Sequence, residues 1–149
     1  MAIFSKTEQS TIKRAMAYML RELKTNPVFS SPELVKDYLR LHYAGVEREE
    51  FTVVYLDAQH RLIEAKTEFV GTLSQTSVYP REIVKRALLL NSAAVILAHN
   101  HPSGNNTPSR ADEILTDTLK STLALIDCRV LDHLIVGQSV LSFAEKGLI

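Results

Sequence analysis

The run Ala93 to Ala98, closed by His99, constrains this chain more than any other segment. It is wholly aliphatic, shows no alternation, and is bounded by Asn91-Ser92 on one side and a Gly/Pro-containing loop on the other. At this length it reads as a β-strand buried on both faces, and it is far short of the ~20 residues that span a bilayer. A strand apolar on both faces needs a layer of structure above and below it. The rest of the chain must supply those layers.

Helical patterns do so. Ile12, Ala15, Met16, Met19, Leu20 and Leu23 form one apolar stripe, with Thr7 or Ser10 as the expected cap and Asn26-Pro27 as the stop. A second helix is expected from Ser31-Pro32, with Leu34, Val35, Tyr38 and Leu39 facing inward, ending near Gly45. Pro80 opens a third through Leu90, and the loop His101 to Pro108 leads into a fourth carrying Ile114, Leu115, Leu119, Leu123 and Ile126. Strands are expected from Phe51 to Leu56, then to Gly71 after a turn at Asp57 to His60, from Val130 to Val136, and around Val140 to Phe143. Strands alternating with helices predict an α/β fold: a three-layer α/β/α domain with a central mixed sheet over residues 28–149. Residues 1–27 are expected to be a helical extension, a packed element or one that pairs with a second copy.

Composition narrows the function. The 149 residues suit one domain, and 17 Lys+Arg against 17 Asp+Glu give zero formal charge. No diffuse basic field draws the chain to nucleic acid or an anionic membrane. Cys128 is the only cysteine, which excludes an intrachain disulfide and cysteine-only metal clusters. The opening MAIFSKTEQS has no apolar core of a secretory signal, so a cytoplasmic protein is expected.

The chemistry is concentrated in Ala98 to Asp112, AHNHPSGNNTPSRAD. His99 and His101 stand two apart at a strand end, so both imidazoles project from one face and Asn100 from the other. The loop returns the chain so that Asp112 lies in the first turn of a helix. Two imidazoles and a carboxylate make a three-ligand zinc site with a position left for water, whose pKa such a site lowers to about 7. Ser109-x-x-Asp112 also fits a helix capping box, which accounts for Ser109 and Asp112 and leaves the histidines unused. The zinc nucleobase deaminases need His-x-Glu and Pro-Cys-x-x-Cys, which one cysteine cannot supply, although the layering is similar.

His-x-His-x7-Ser-x-x-Asp resembles the signature of the JAMM (MPN+, JAB) metalloproteins. Tyr79 to Ala87, Ala93 to Gly104 and Leu131 to Gly137 are similar to the bacterial RadC family, over roughly Phe29 to Ile149. The resemblance implies a JAB/MPN-type fold and a zinc-dependent peptidase or isopeptidase acting on a peptide or protein. It makes His99, His101 and Asp112 the ligands of one Zn2+ per chain, and Ser109 a donor to the metal-bound water or the oxyanion. The family's general base lies just before the first sheet strand; Glu50, directly before Phe51, occupies that place, with Glu47 and Glu49 beside it. Longer RadC proteins carry a helix-hairpin-helix-like region ahead of this domain, whereas a single short helix is expected here, so a DNA-repair role is unsupported. The competing expectation is a non-catalytic protein- or nucleic-acid-binding module with a structural or absent metal.

Other residues fit simpler roles. Asp132-His133 can orient a ligand, but a satisfied core histidine is the preferred reading. His42 and His60 read as surface groups, and Cys128 as an inert, partly buried thiol. Ser103 to Asn106 form a polar loop explained equally by turn chemistry and by a substrate groove.

Overall fold

The computed structural model describes residues 3–72 and 76–149; Met1 and Ala2, at the head of the expected extension, lie outside the described residues. Four helices and five strands follow the expected order: α1 (Lys6–Thr25), α2 (Pro32–His42), β1 (Glu50–Leu56), β2 (Leu62–Val70), α3 (Pro80–Leu89), β3 (Ala94–Asn100), α4 (Arg110–Ala124), β4 (Arg129–Val136) and β5 (Val140–Ser142). A single 3-10 turn, Val28–Ser30, joins α1 to α2. Helix α1 starts before either expected cap. Ser5 accepts from the Glu8 amide while Glu8 accepts from the Ser5 amide, and this reciprocal box satisfies two orphan donors that Thr7 or Ser10 would leave exposed.

The sheet order is β2-β1-β3-β4-β5, with β3 and β4 parallel and the other pairs antiparallel. This is the mixed sheet of a three-layer α/β/α domain. Every residue of the central strand β3 is buried, as its aliphatic sequence demands. Its even positions Ala94, Ile96 and Ala98 join Leu39, Val54 and Leu134 on the α1/α2 side. Its odd positions Val95 and Leu97 join Phe51, Ile83, Leu119 and Leu123 on the α3/α4 side. The second half of the α1 stripe, Met16, Met19, Leu20 and the buried Leu23, packs into the first of these clusters. No helix among the described residues is long and apolar enough to cross a membrane.

Two side groups differ from expectation. His42 is not a free surface histidine: its Nε2 lies 3.1 Å from Thr67 Oγ1, its ring stacks on Tyr38, and burial lowers its pKa. The end of α2 lands on the threonines of β1 and β2, a meeting of distant segments that local pattern does not reveal. Cys128 is fully rather than partly buried, and burial pushes its thiol up, which makes it inert. His60 sits in the expected turn in the left-handed region, with φ at 61°.

Candidate metal centre

Strand period decides which side chains reach the site. Phe51 pairs with His99 across β1 and β3, so residues in step with Phe51 share the α3/α4 side with His99. Glu49 is in step and Glu50 is not. The described structure accordingly gathers Glu49, His99 and His101 into one group whose ligating atoms all lie within 4.8 Å of one another, and this group can hold a metal ion. Glu50, expected as the base, falls instead in step with Thr52 and Val54 on the α1/α2 side. The difference is one residue, which in a strand is the difference between two faces.

Asn100 secures this register. Its amide points away from the histidines, as the alternation predicts, and grips the start of β1: Oδ1 accepts from the Glu50 amide at 2.7 Å and Nδ2 donates to the Arg48 carbonyl at 2.9 Å. Those two backbone groups flank Glu49. The Glu49 backbone is held further by Thr72, Gly71 and the Thr76 hydroxyl. Removing the clamp in Asn100→Ala leaves both backbone groups unpaired, and urea denaturation should show a loss of about 1–3 kcal/mol; an unchanged midpoint would remove Asn100 from this role.

The third expected ligand is also present. Nε2 of His99 and Nε2 of His101 are 2.9 Å apart, and Asp112 brings Oδ1 to 3.4 Å from the first and Oδ2 to 3.5 Å from the second. Four-coordinate zinc with bonds of about 2.0–2.1 Å implies ligand separations of about 3.3 Å; each imidazole nitrogen has one of the two carboxylate oxygens near that distance, and the two nitrogens stand somewhat closer together. The donor set and its spacing therefore fit a tetrahedral ion. His101 is oriented by its other nitrogen: Nδ1 donates to the Asn105 carbonyl at 2.7 Å, which leaves Nε2 as a lone pair turned toward Asp112. The loop that presents that carbonyl is pressed against Gly137, where a Cβ would fall 2.3 Å from the Gly104 oxygen.

Asp112 is held in place by the helix it begins. It closes a capping box with Ser109, taking the Ser109 amide on Oδ2 at 2.9 Å and giving its own amide to Ser109 Oγ at 3.0 Å. The cap fixes the carboxylate against the imidazoles, so the capping box and the expected metal ligation are compatible readings of one arrangement. The box leaves the Ser109 hydroxyl proton unspent at the exposed rim.

The two carboxylates differ in electrostatics. Burial alone would raise Asp112, but the adjacent imidazoles of His101 and His99, together with the Ser109 amide, hold it well below the usual carboxylate range. Glu49 moves the other way, because burial, supported by the nearby Asp112, outweighs the two histidines. His101 is raised, chiefly by the neighbouring Asp112 carboxylate, which favours its protonated form. A cavity of about 210 Å3 opens over the group, lined by Glu49, Phe51, Val78, His99, Asp112 and Leu115 among others. A second, of about 380 Å3, begins on the other side of His101 beside Tyr43, Pro102 and Gly104.

His133 is the satisfied core histidine expected, but its partners, His99 and the unexpected Thr116, are not visible in local pattern. His133 and Thr116 are fully buried behind His99, with His133 Nε2 at 2.8 Å from His99 Nδ1. Asp132 does not touch that ring; its carboxylate turns to Ser142 and the Ala144 amide on the opposite face.

Comparison with known proteins points to one family. A family model described as a RadC-like JAB domain matches residues 29–148. A UPF0758 protein of Leptothrix cholodnii is 59% identical over 142 residues, covering 95% of this chain and 64% of that protein. The UPF0758 proteins YfjY and YkfG of Escherichia coli are 53% and 54% identical, each covering at least 95% of this chain and 91% of the relative. The chain therefore spans a little under two thirds of the Leptothrix relative and most of the two from Escherichia coli.

Proposed function

The chain belongs to the RadC-like JAB domain family, and from that premise we propose that it is a zinc-dependent hydrolase of amide or isopeptide bonds. The reading is carried by one observation: two imidazole nitrogens and a carboxylate converge with edges of 2.9, 3.4 and 3.5 Å. Such a donor set suits a divalent ion held by His99, His101 and Asp112. When bound, the ion would supply Lewis-acid polarisation of a carbonyl and make water nucleophilic near neutral pH.

The protein's own groups divide the remaining work. Glu49 is the proton carrier in this reading, in place of Glu50. It stands in the cavity, and its raised pKa suits a group that takes a proton from the attacking water and gives it to the leaving amine. Ser109 donates its spare hydroxyl proton to the oxygen on which negative charge develops. Asp112 stays ionised throughout, as its depressed pKa favours. The apolar walls Phe51, Val78 and Leu115 limit water around the reacting bond.

The test is to purify the chain without chelator, count metal per chain by plasma mass spectrometry, and screen peptide and isopeptide libraries with and without chelator. One zinc per chain and chelator-sensitive cleavage are expected. Bound zinc with no cleavage across both libraries would favour a binding module, and no metal uptake at all would sink the reading.

A further inference from the structure

We infer that His133 and Thr116 form a buried relay that holds the proton of the His99 ring on Nδ1 and so keeps its Nε2 lone pair aimed at the metal centre. The inference rests on the metal reading above and adds two positioning residues that touch neither ion nor substrate.

The direction of each bond follows from what each atom can give. The Asp112 carbonyl can only accept, and Thr116 Oγ1, one turn further along α4, donates its single proton there at 2.7 Å. The other contact of Oγ1, 2.6 Å from His133 Nδ1, is then one in which the hydroxyl oxygen accepts and Nδ1–H donates. With its proton on Nδ1, His133 presents a lone pair on Nε2. That atom is 2.8 Å from His99 Nδ1, which therefore donates into it. The Nε2 of His99 is left bare, facing the bare Nε2 of His101 at 2.9 Å. Two lone pairs at that distance repel each other and are reconciled by a cation between them.

The relay also closes on itself. It starts at the backbone of Asp112 and ends at a ring whose Nε2 is 3.4 Å from the Asp112 carboxylate, so it ties α4 to β3 behind the site. His133, Thr116 and His99 are 0%, 1% and 1% exposed, so water does not compete for these bonds. Phe143 stacks on the His133 ring and Phe51 meets it edge-on, which fixes the ring plane. Polar atoms this deep are costly unless each is paired, so every bond in the relay holds the others in direction.

Long-range proton–nitrogen correlation spectra of the metal-free wild-type chain at mildly alkaline pH read the tautomers without any variant. His99 and His133 are both expected as Nδ1–H. Zinc affinity, measured by competition with a chromogenic chelator, should fall about 10- to 100-fold in Thr116→Val and return in Thr116→Ser. Valine removes the acceptor of His133 Nδ1–H. The His133 proton then moves to Nε2, donates to His99 Nδ1, and the His99 proton occupies Nε2. The His99 nitrogen signals of Thr116→Val should show that exchange. Nε2–H on wild-type His99, or wild-type zinc affinity in Thr116→Val, would overturn the relay. If the wild-type chain takes up no zinc, the metal reading fails, while the tautomer spectra still decide the relay.

Discussion

His99→Ala should purify without the metal ion expected in the wild-type chain and should show no hydrolysis above background in any substrate that the wild type cleaves. Loss of a supporting partner behind a ligand costs roughly 10- to 100-fold in metal affinity, and loss of the ligand itself must exceed that. The variant also strands His133, whose Nε2 loses the one hydrogen-bond partner it has among the described residues. A buried acceptor left unpaired costs about 1–3 kcal/mol, so His99→Ala should be less stable as well as metal-free. His101→Ala separates the two effects. That ring is partly exposed and its Nδ1 partner is a loop carbonyl, so its loss should remove metal with a smaller change in stability. Metal content per folded chain, set beside urea midpoints for both variants, checks this. Wild-type metal in either variant would show that the convergent imidazoles are not ligands.

The contrast between these histidines also marks where sequence reasoning reached and where it stopped. The side of the sheet occupied by His99 and His101 was legible because it needs only strand period and an aliphatic run ending at the first histidine. The Ser109–Asp112 capping box was legible because a cap is local, and it sets the Asp112 carboxylate beside the two imidazoles. His133 was not legible as a partner of His99. Val130 pairs with Val95 but Asp132 pairs with Ile96, so Leu131 is an extra residue in β4. This bulge reverses the alternation beyond it. His133 thereby turns toward α4 and Thr116, and Asp132 turns away. Nothing in Leu131-Asp132-His133 announces that reversal; it is a property of the pairing. The network of His42 with Thr52 and Thr67 escaped for a similar reason, since it joins a helix end to two strands distant in sequence.

Glu49→Gln should lower kcat/KM by about 100- to 10,000-fold while leaving bound metal unchanged, whereas Glu50→Gln should stay within a few-fold of wild type. Glutamine keeps the shape and much of the hydrogen bonding of glutamate but cannot accept and release a proton at neutral pH. Retained metal would therefore distinguish loss of the proton carrier from loss of a ligand, which matters because Glu49 lies in the same group as the two histidines. The assignment depends on a single step of register. Three glutamates fall within Glu47 to Glu50, and the start of a strand is where sequence patterns are least sharp. Three-dimensional pairing removes the ambiguity, because Phe51 opposite His99 sets the parity and the Asn100 clamp on Arg48 and Glu50 holds it. If Glu50→Gln lost activity and Glu49→Gln kept it, the register of β1 in the working protein would differ by one residue from the register described. A large loss in both, with metal retained, would mean that the second carboxylate acts through the fold of this strand start, and Asn100→Ala should then reproduce it.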